Sequence, residues 1–162
     1  MDEIMDLQQQ GFEQVQYIVI RYGDEVFGID IKYVDNIVRM QRITRVPNVS
    51  SHIKGVLNLR GEVIPVISLR IKMGLSPDEI TKSTRIIIIK LESGDSIGVL
   101  VDEVLEVITL NSMQIEKVGY NSKETVASFL FGVGKDEEKD RLISLLDIGA
   151  AFGEKEGAPA QS

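Results

Sequence analysis

Few residues of this chain could do chemistry, and the first is its only histidine, His52. With no cysteine in the chain, nucleophilic catalysis of the Ser-His-Asp kind would depend on this one side chain. His52 follows Ser50 and Ser51 in a polar stretch that lacks the strand–turn–helix motif of such nucleophiles. We therefore expect a solvated loop histidine. A small hydrolase that uses His52 stays as an alternative, and loss of an activity in His52→Ala would support it.

Three carboxylates, Asp102, Glu103 and Glu106, lie close together in a β-rich stretch. Side chains alternate between the two faces of a strand, so neighbours in sequence point apart. We expect solvated face residues rather than an acid/base pair. The chain also lacks a Walker loop, a dinucleotide-binding glycine triplet and paired metal-binding histidines. The sequence thus predicts no enzyme, no cofactor and no metal site, which leaves binding.

The strongest candidate for binding is Arg60, in the segment around which the chain is organised, residues 53–70. Two apolar β-type runs flank Asn58-Leu59-Arg60-Gly61-Glu62, where Gly61 can take a positive φ and close a turn. This pattern predicts a β-hairpin with Arg60 at its tip. Pro65 cannot donate to a ladder, so the second strand is expected at a sheet edge there, or bulged. A core hairpin with a charged turn is an equally open interpretation.

The composition narrows the function classes. The chain has 162 residues, 43% of them hydrophobic and 6% aromatic, and a net charge of −7 that argues against nucleic-acid binding. No apolar run is long enough for a membrane span and no signal peptide is visible, so we expect a cytosolic protein without membrane insertion. Residues 13–75 carry 9 Lys and Arg against 6 Asp and Glu, whereas residues 76–162 carry 9 against 16. Such asymmetry is expected of a protein with more than one partner surface, although solubilising charge explains it equally well.

The two halves of the chain resemble each other in three places that occur in the same order. Residues 28–38 match 98–108, residues 53–56 match 130–133, and residues 66–69 match 142–145. Such a repeat predicts two copies of one five-stranded unit, each a small barrel. Because a unit of that size buries little surface alone, the copies should share an apolar core. The run Ile86-Ile87-Ile88-Ile89 suits that interface.

The predicted fold is mainly β, with two SH3-like five-stranded barrels packed around a shared hydrophobic core and short helices. We expect one domain over residues 13–150, divided into barrel subdomains near 13–80 and 81–150 that can exchange a strand. Residues 1–12 and 151–162 are polar or rich in small residues and are expected to be flexible tails.

Several motifs together resemble the CheW family of bacterial chemotaxis coupling proteins, over roughly residues 13–150. The most specific is the hairpin stretch Ile53-Lys54-Gly55-Val56-Leu57-Asn58-Leu59-Arg60-Gly61 with Val63-Ile64-Pro65-Val66-Ile67-Ser68-Leu69-Arg70. Phe27-Gly28-Ile29-Asp30-Ile31, Val34-Asp35-Asn36-Ile37 and Ile43-Thr44-Arg45-Val46-Pro47 also match. The chain has no room for a kinase or receiver domain, which favours a free-standing adaptor.

This resemblance implies two SH3-like barrels and a non-enzymatic scaffold that joins chemoreceptors to the histidine kinase CheA. It implies that the receptor's cytoplasmic hairpin tip binds between the barrels and that the kinase's regulatory domain contacts barrel ends. It further implies recruitment to membrane-associated receptor arrays, with weak or no self-association of the chain alone. Carried over by motif, the receptor-facing residues are Val34, Ile37, Asn58, Arg60 and Gly61. Gly55 would be a tight backbone position, and the kinase-facing residues stay unassigned.

Two positions depart from the commoner family pattern. Asn36 stands where many relatives carry Glu, and Ser68 stands where Asp is frequent. Both bear on partner specificity rather than on family membership. The rival within the binding class is a CheW-like adaptor for a non-chemotactic two-component kinase pathway, which exchange of the cognate kinase would distinguish.

Overall fold

The computed structural model describes residues 13–117 and 127–152, and it is mainly β, as predicted. The strands in chain order are β1 (Gln14–Tyr22), β2 (Glu25–Asp30), β3 (Val34–Arg39), β4 (Ile53–Leu59), β5 (Glu62–Ser68), β6 (Arg85–Lys90), β7 (Ser96–Val101), β8 (Glu103–Asn111), β9 (Ile115–Lys117), β10 (Leu130–Asp136) and β11 (Arg141–Leu146). The helices among these residues are short: α1 (Leu69–Lys72), α2 (Ile148–Phe152), and 3₁₀ turns at Ile31–Tyr33, Ser112–Gln114 and Ala127–Phe129.

The strands form two sheets. One has six strands in the order β8-β1-β2-β11-β10-β9, and the other has five in the order β3-β6-β7-β5-β4. The five-stranded sheet has its own counterpart of β9, reduced to a single bridge between Thr44 and Val56. In the six-stranded sheet the equivalent pairing joins Glu116 of β9 to Val133 of β10. The two sheets are therefore versions of one unit, although neither closes into a continuous barrel ladder.

Each half of the chain donates a hairpin to the other half's sheet. The first hairpin, β1–β2, pairs with β8 and β11, and the hairpin β6–β7 pairs with β3 and β5. Both β2–β11 and β5–β7 are parallel pairs, whereas the remaining ladders are antiparallel. The described residues that share a sheet are thus 14–30 with 103–117 and 130–146, and 34–101. The predicted subdomain ranges, 13–80 and 81–150, do not coincide with this division.

The internal repeat is visible in the strand registers, and it corrects one of the three sequence matches. Gly55 pairs with Val66 just after a bulge in β4, and Gly132 pairs with Leu145 just after a bulge in β10. Val66 also pairs with Gly98, and Leu145 with Gly28. The matches of Gly28 to Gly98 and of Gly55 to Gly132 are confirmed. The third was displaced by three residues, because Val66 is equivalent to Leu145 rather than to Leu142.

Three apolar clusters fill the fold, one inside each sheet and a larger one between the sheets. The isoleucine run lies at the shared interface, as predicted, and β6 is buried on both faces. Ile86 and Ile88 pack in the cluster of the five-stranded sheet, whereas Ile87 and Ile89 pack in the shared cluster. Alternation along one strand thus supplies both cores. The shared cluster draws residues from both sheets and from α1 and α2, so the sheets are joined by apolar burial.

The expected C-terminal tail begins later than predicted. Ala151 and Phe152 are buried in the shared cluster as part of α2, because Phe152 supplies a large apolar side chain to that core. The remaining residues of both predicted tails, 1–12 and 153–162, lie outside the described residues. Within the part of the chain that the structure describes, no helix has the length and apolar character needed to cross a membrane.

Candidate binding site

Arg60 and Gly61 form the two-residue turn between β4 and β5, as the sequence predicted. Leu59 pairs with Glu62, and both turn residues have positive φ, 54° at Arg60 and 82° at Gly61. Positive φ at both central positions is the requirement of a type I′ turn, whose twist matches that of the flanking strands. A glycine meets this requirement without strain, but an arginine does not. The chain therefore holds a cationic side chain at a position that its backbone disfavours.

The Arg60 side chain is exposed, and no hydrogen bond or ion pair joins it to another described residue. Asn58 is also exposed and lies two residues before Arg60 on the edge strand β4. A Cβ placed on Gly61 would meet nothing within 4 Å, so Gly61 is required for its φ rather than for space. Asn58, Arg60 and Gly61 thus form one exposed group, which we call the hairpin tip.

Val34 and Ile37 lie on β3, at the opposite edge of the same sheet. Val34 is half-buried and packs against the shared cluster, whereas Ile37 is 37% exposed. The sheet curls, because Val38 of β3 and Leu59 of β4 pack against one inner cluster. The structure thus brings the five predicted receptor-facing residues into two groups on one sheet, and no hydrogen bond links the groups in the described chain.

Gly55 is a tight backbone position, as the family motif implied. Its φ is +146°, and a Cβ there would overlap the carbonyl group of Thr44. The overlap arises because Thr44 and Val56 exchange two backbone hydrogen bonds of 2.8 Å, which hold the segment before β4 against that strand. Gly55 thereby keeps the loop of residues 40–52 close to the hairpin.

The positions that depart from the family pattern have local partners. The Asn36 side chain accepts a hydrogen bond of 2.8 Å from the backbone N–H of Ile37. Ser68 is fully buried at the start of α1, where its hydroxyl accepts from the N–H of Ile71 at 3.1 Å and donates to Asp78. Asp147 occupies the equivalent position before α2 and accepts from the N–H of Ala150 at 3.1 Å. Ser68 therefore serves as a helix N-cap, a role that Asp fills equally well.

The three carboxylates are ion-paired rather than simply solvated, so that expectation was wrong. Asp102 binds Arg70 through two hydrogen bonds of 3.0 and 2.5 Å and accepts from the N–H of Gly23 at 2.8 Å. Glu103 pairs with Arg21 at 3.0 Å. Glu106 pairs with Lys139 at 2.5 Å and Arg141 at 2.6 Å. The partners were missed because each is more than 30 residues away along the chain.

These contacts keep Asp102 and Glu106 ionised. Burial alone would raise the pKa of Asp102, but the hydrogen bonds from Arg70 and Gly23 lower it below its usual value. Hydrogen bonds from Lys139 and Arg141 likewise lower the pKa of Glu106. A carboxyl group with a lowered pKa is a poor general acid near neutral pH. The geometry therefore supports structural ion pairs at these positions.

His52 is half-buried, and its backbone carbonyl accepts a hydrogen bond of 2.7 Å from the N–H of Ser68. His52 lies directly before β4. In the other repeat, Phe129 lies directly before β10, and its carbonyl accepts the equivalent backbone hydrogen bond from the N–H of Asp147, at 2.8 Å. The backbone of His52 therefore has the same structural role in its repeat as the backbone of Phe129 has in the other. Among the described residues, no cluster of three or more His, Asp or Glu side chains has the arrangement of a metal site.

Comparisons with known proteins agree with this fold. The family model described as the CheW-like domain matches residues 16–156. The chain is 35% identical over 143 residues to chemotaxis protein CheW of Bacillus subtilis, covering 88% of this chain and 90% of that one. It is 33% identical over 144 residues to chemotaxis protein CheW of Helicobacter pylori, covering 87% and 83%. The crystal structure of scaffolding protein TtCheW from Thermoanaerobacter tengcongensis superposes with a TM-score of 0.78 at 30% identity, covering 88% of this chain and 94% of that one.

Proposed function

The chain belongs to the CheW-like family, and from that premise we propose that it is a non-enzymatic adaptor that couples chemoreceptors to the histidine kinase CheA. The similar chains are named as chemotaxis proteins, and a solved one is titled a scaffolding protein. These names favour chemotaxis over the rival non-chemotactic pathway. An adaptor of this kind acts by holding partners in position, and it would be recruited to receptor arrays at the membrane.

The observation that carries the proposal is the state of Arg60. A non-glycine residue in the left-handed region costs conformational free energy, and such strain in proteins concentrates at functional positions. The Arg60 side chain gives no compensation, because it bonds to no other described residue. An exposed arginine beside apolar residues is a common anchor in protein interfaces. We assign receptor binding to the hairpin tip, together with Val34 and Ile37 on β3.

The test is a bridging assay with the cognate kinase and a receptor cytoplasmic fragment. The wild-type chain should capture both proteins, and Arg60→Glu should keep the kinase but lose the receptor. Lys135→Glu is the matched control, since Lys135 is also exposed, changes charge by the same amount and lies on β10 of the six-stranded sheet. We expect it to bridge like the wild type. Circular dichroism should show that all three chains are folded.

Two results would contradict the proposal. If the wild type captures neither partner, the family fold is present without the family function. If Arg60→Glu and Lys135→Glu weaken receptor capture equally, overall charge rather than the hairpin tip governs binding. Ile37→Asp provides an independent check of β3, because Ile37 is exposed and does not belong to a core cluster. Receptor capture should fall in that variant while the unfolding midpoint stays near that of the wild type.

A further inference from the structure

The arginines of this chain fall into two sets of four. Arg21, Arg70, Arg85 and Arg141 all donate hydrogen bonds to carboxylates or backbone carbonyls. Arg39, Arg42, Arg45 and Arg60 are all exposed and bond to no other described residue. The second set lies within one stretch of sequence, residues 36–61. The fold therefore separates arginines that stabilise structure from arginines left available to a partner.

The same stretch is free of carboxylates. Residues 36–61 contain these four arginines and Lys54 but no Asp or Glu, whereas the rest of the chain has 13 Lys and Arg against 25 Asp and Glu. Like charges without counter-ions repel one another, so such a patch costs stability unless something outside the chain neutralises it. This basic stretch therefore favours a negatively charged partner.

A cavity of about 720 Å³ opens within this stretch. The loop of residues 40–52 forms one wall, held to β4 by the Thr44–Val56 bridge. Arg45 and Lys54 line the cavity together with apolar side chains that include Met40, Ile43, Val46 and Ile80. Ile80 is 56% exposed and Val46 37% exposed. The one carboxylate in the lining, Asp78, already accepts the hydroxyl of Ser68. The cavity thus combines cations with uncovered apolar surface.

We propose that this cavity docks an acidic segment of a partner protein, with an apolar side chain inserted beside Ile80 and carboxylates paired with Arg45 and Lys54. The concave apolar lining suits a side chain, whereas a nucleic-acid backbone would offer the cavity only phosphates. The site is distinct from the hairpin tip, since neither Arg60 nor Asn58 lines it.

The test uses the full chain, ¹⁵N-labelled, and a short acetylated peptide in which glutamates flank leucines. Titration followed by amide shifts should give saturable binding, with the shifts centred on residues 40–54 and Ile80. Replacing the glutamates by glutamines, or the leucines by serines, should abolish saturation. Raising NaCl from about 50 to about 300 mM should weaken binding roughly tenfold, because the pairs are exposed.

The variants separate this site from general electrostatics. Arg45→Glu/Lys54→Glu should lose binding, while Lys90→Glu/Lys135→Glu, which removes two exposed cations elsewhere, should bind within about twofold of the wild type after screening. Equal losses in both double variants would overturn the proposal, as would no saturable binding of the acidic peptide. Binding of phosphatidylserine vesicles or single-stranded DNA with the same dependence on Arg45 and Lys54, but not of the peptide, would replace the proposed partner class. Neither receptor nor kinase is needed, so failure here leaves the adaptor proposal untouched.

Discussion

The two repeats contain equivalent hairpins, β4–β5 and β10–β11, and each has an arginine at or next to its turn. The two arginines differ in whether they are bonded to the rest of the chain. In the five-stranded sheet the hairpin β4–β5 closes through two residues, and Arg60 projects from it without a bonded partner in the described chain. In the six-stranded sheet β10 and β11 are joined by residues 137–140, and Arg141 binds Asp136 at 2.9 Å and Glu106 at 2.6 Å. One hairpin uses arginine to hold strands together, and the other presents it to solvent. Equivalent backbone hairpins thus place an arginine in two different environments, one ion-paired and one exposed.

The bulges before these hairpins provide the largest expected contrast. Gly55→Ala places a side chain at φ +146° and against the carbonyl of Thr44, so we expect a loss of about 3 kcal/mol or more in the free energy of unfolding. Gly132→Ala meets the carbonyl oxygen of Glu116 at 2.9 Å but has no positive φ, and should cost about 1–2 kcal/mol. Urea unfolding of both variants measures the difference. Equal losses would show that packing alone, and not the backbone angle, makes Gly55 necessary.

The second-largest difference in unfolding free energy is expected between substitutions of the arginines at the two hairpins. Arg141→Ala leaves the largely buried carboxylate of Asp136 without its ion pair, and we expect a loss of about 1–2 kcal/mol. Arg60→Ala removes no such contact and keeps the strained turn, so its unfolding free energy should stay within about 0.5 kcal/mol of the wild type. Paired urea titrations provide the measurement. A loss on Arg60→Ala as large as that on Arg141→Ala would mean that the hairpin tip is structural.

The chain crosses between sheets twice, and the two crossings also differ. At the β7–β8 crossing Asp102 is held by Arg70, whose guanidinium also lies 5.8 Å from the ring centroid of Tyr22. In the repeat, the position of Arg70 corresponds to Gly149, and Asp102 corresponds to Lys32. Around Tyr33 and Gly149 the structure has a cavity of about 340 Å³. The second crossing is therefore held to α1 by the Arg70–Asp102 ion pair, whereas at the first crossing Lys32 pairs only with nearby Asp30, at 3.9 Å.

This ion pair predicts a specific dependence on pH. The pKa of Asp102 is lowered in the folded chain, so its contribution to stability is present above the unfolded pKa and is lost as pH falls below about 4. Asp102→Asn should therefore be less stable than the wild type near neutral pH, with a gap that narrows in acid. Lys32→Asn at the other crossing is the control and should show no such narrowing. The measurement is the free energy of unfolding between pH 2 and pH 7, and a constant gap would contradict the assigned role of the Arg70–Asp102 pair.

Local pattern in the sequence was enough to predict the hairpin tip, the shared core and the placement of the isoleucine run. Turn chemistry and strand alternation depend only on neighbouring residues, so a single chain reveals them. Pro65 also behaves as predicted: the parallel ladder with β7 begins at Val66, so Pro65 has no strand on that side. The match between Gly28 and Gly98 also depends on local pattern. Each glycine lies where a neighbouring strand approaches closely, so both repeats keep glycine at that position.

Long-range pairing was not predictable in the same way. The partners of Asp102 and Glu106 come from strands brought together only by the reciprocal exchange of hairpins. The displaced match of residues 66–69 has a similar origin, since apolar residues at alternate positions align in several registers and only the bulges at Gly55 and Gly132 fix the right one. The basic cavity had one visible signal, the absence of carboxylates from residues 36–61. Which of those cations would find partners in the fold was not visible in the sequence.

The smallest expected effect bears most directly on why the hairpins differ. Asn is the residue that tolerates the left-handed region best after glycine, and Asn-Gly is the preferred type I′ pair. Arg60→Asn should therefore stabilise the chain, by about 0.5 kcal/mol, while it removes the cation from the hairpin tip. Receptor capture should fall in the same variant, so stability and binding move in opposite directions. Asp140, at φ 49° in the other hairpin, supplies the control: Asp140→Asn should leave receptor capture unchanged. If Arg60→Asn instead destabilises the chain, the arginine stabilises its own turn. That result would contradict the inference that Arg60 is kept at a strained position for binding.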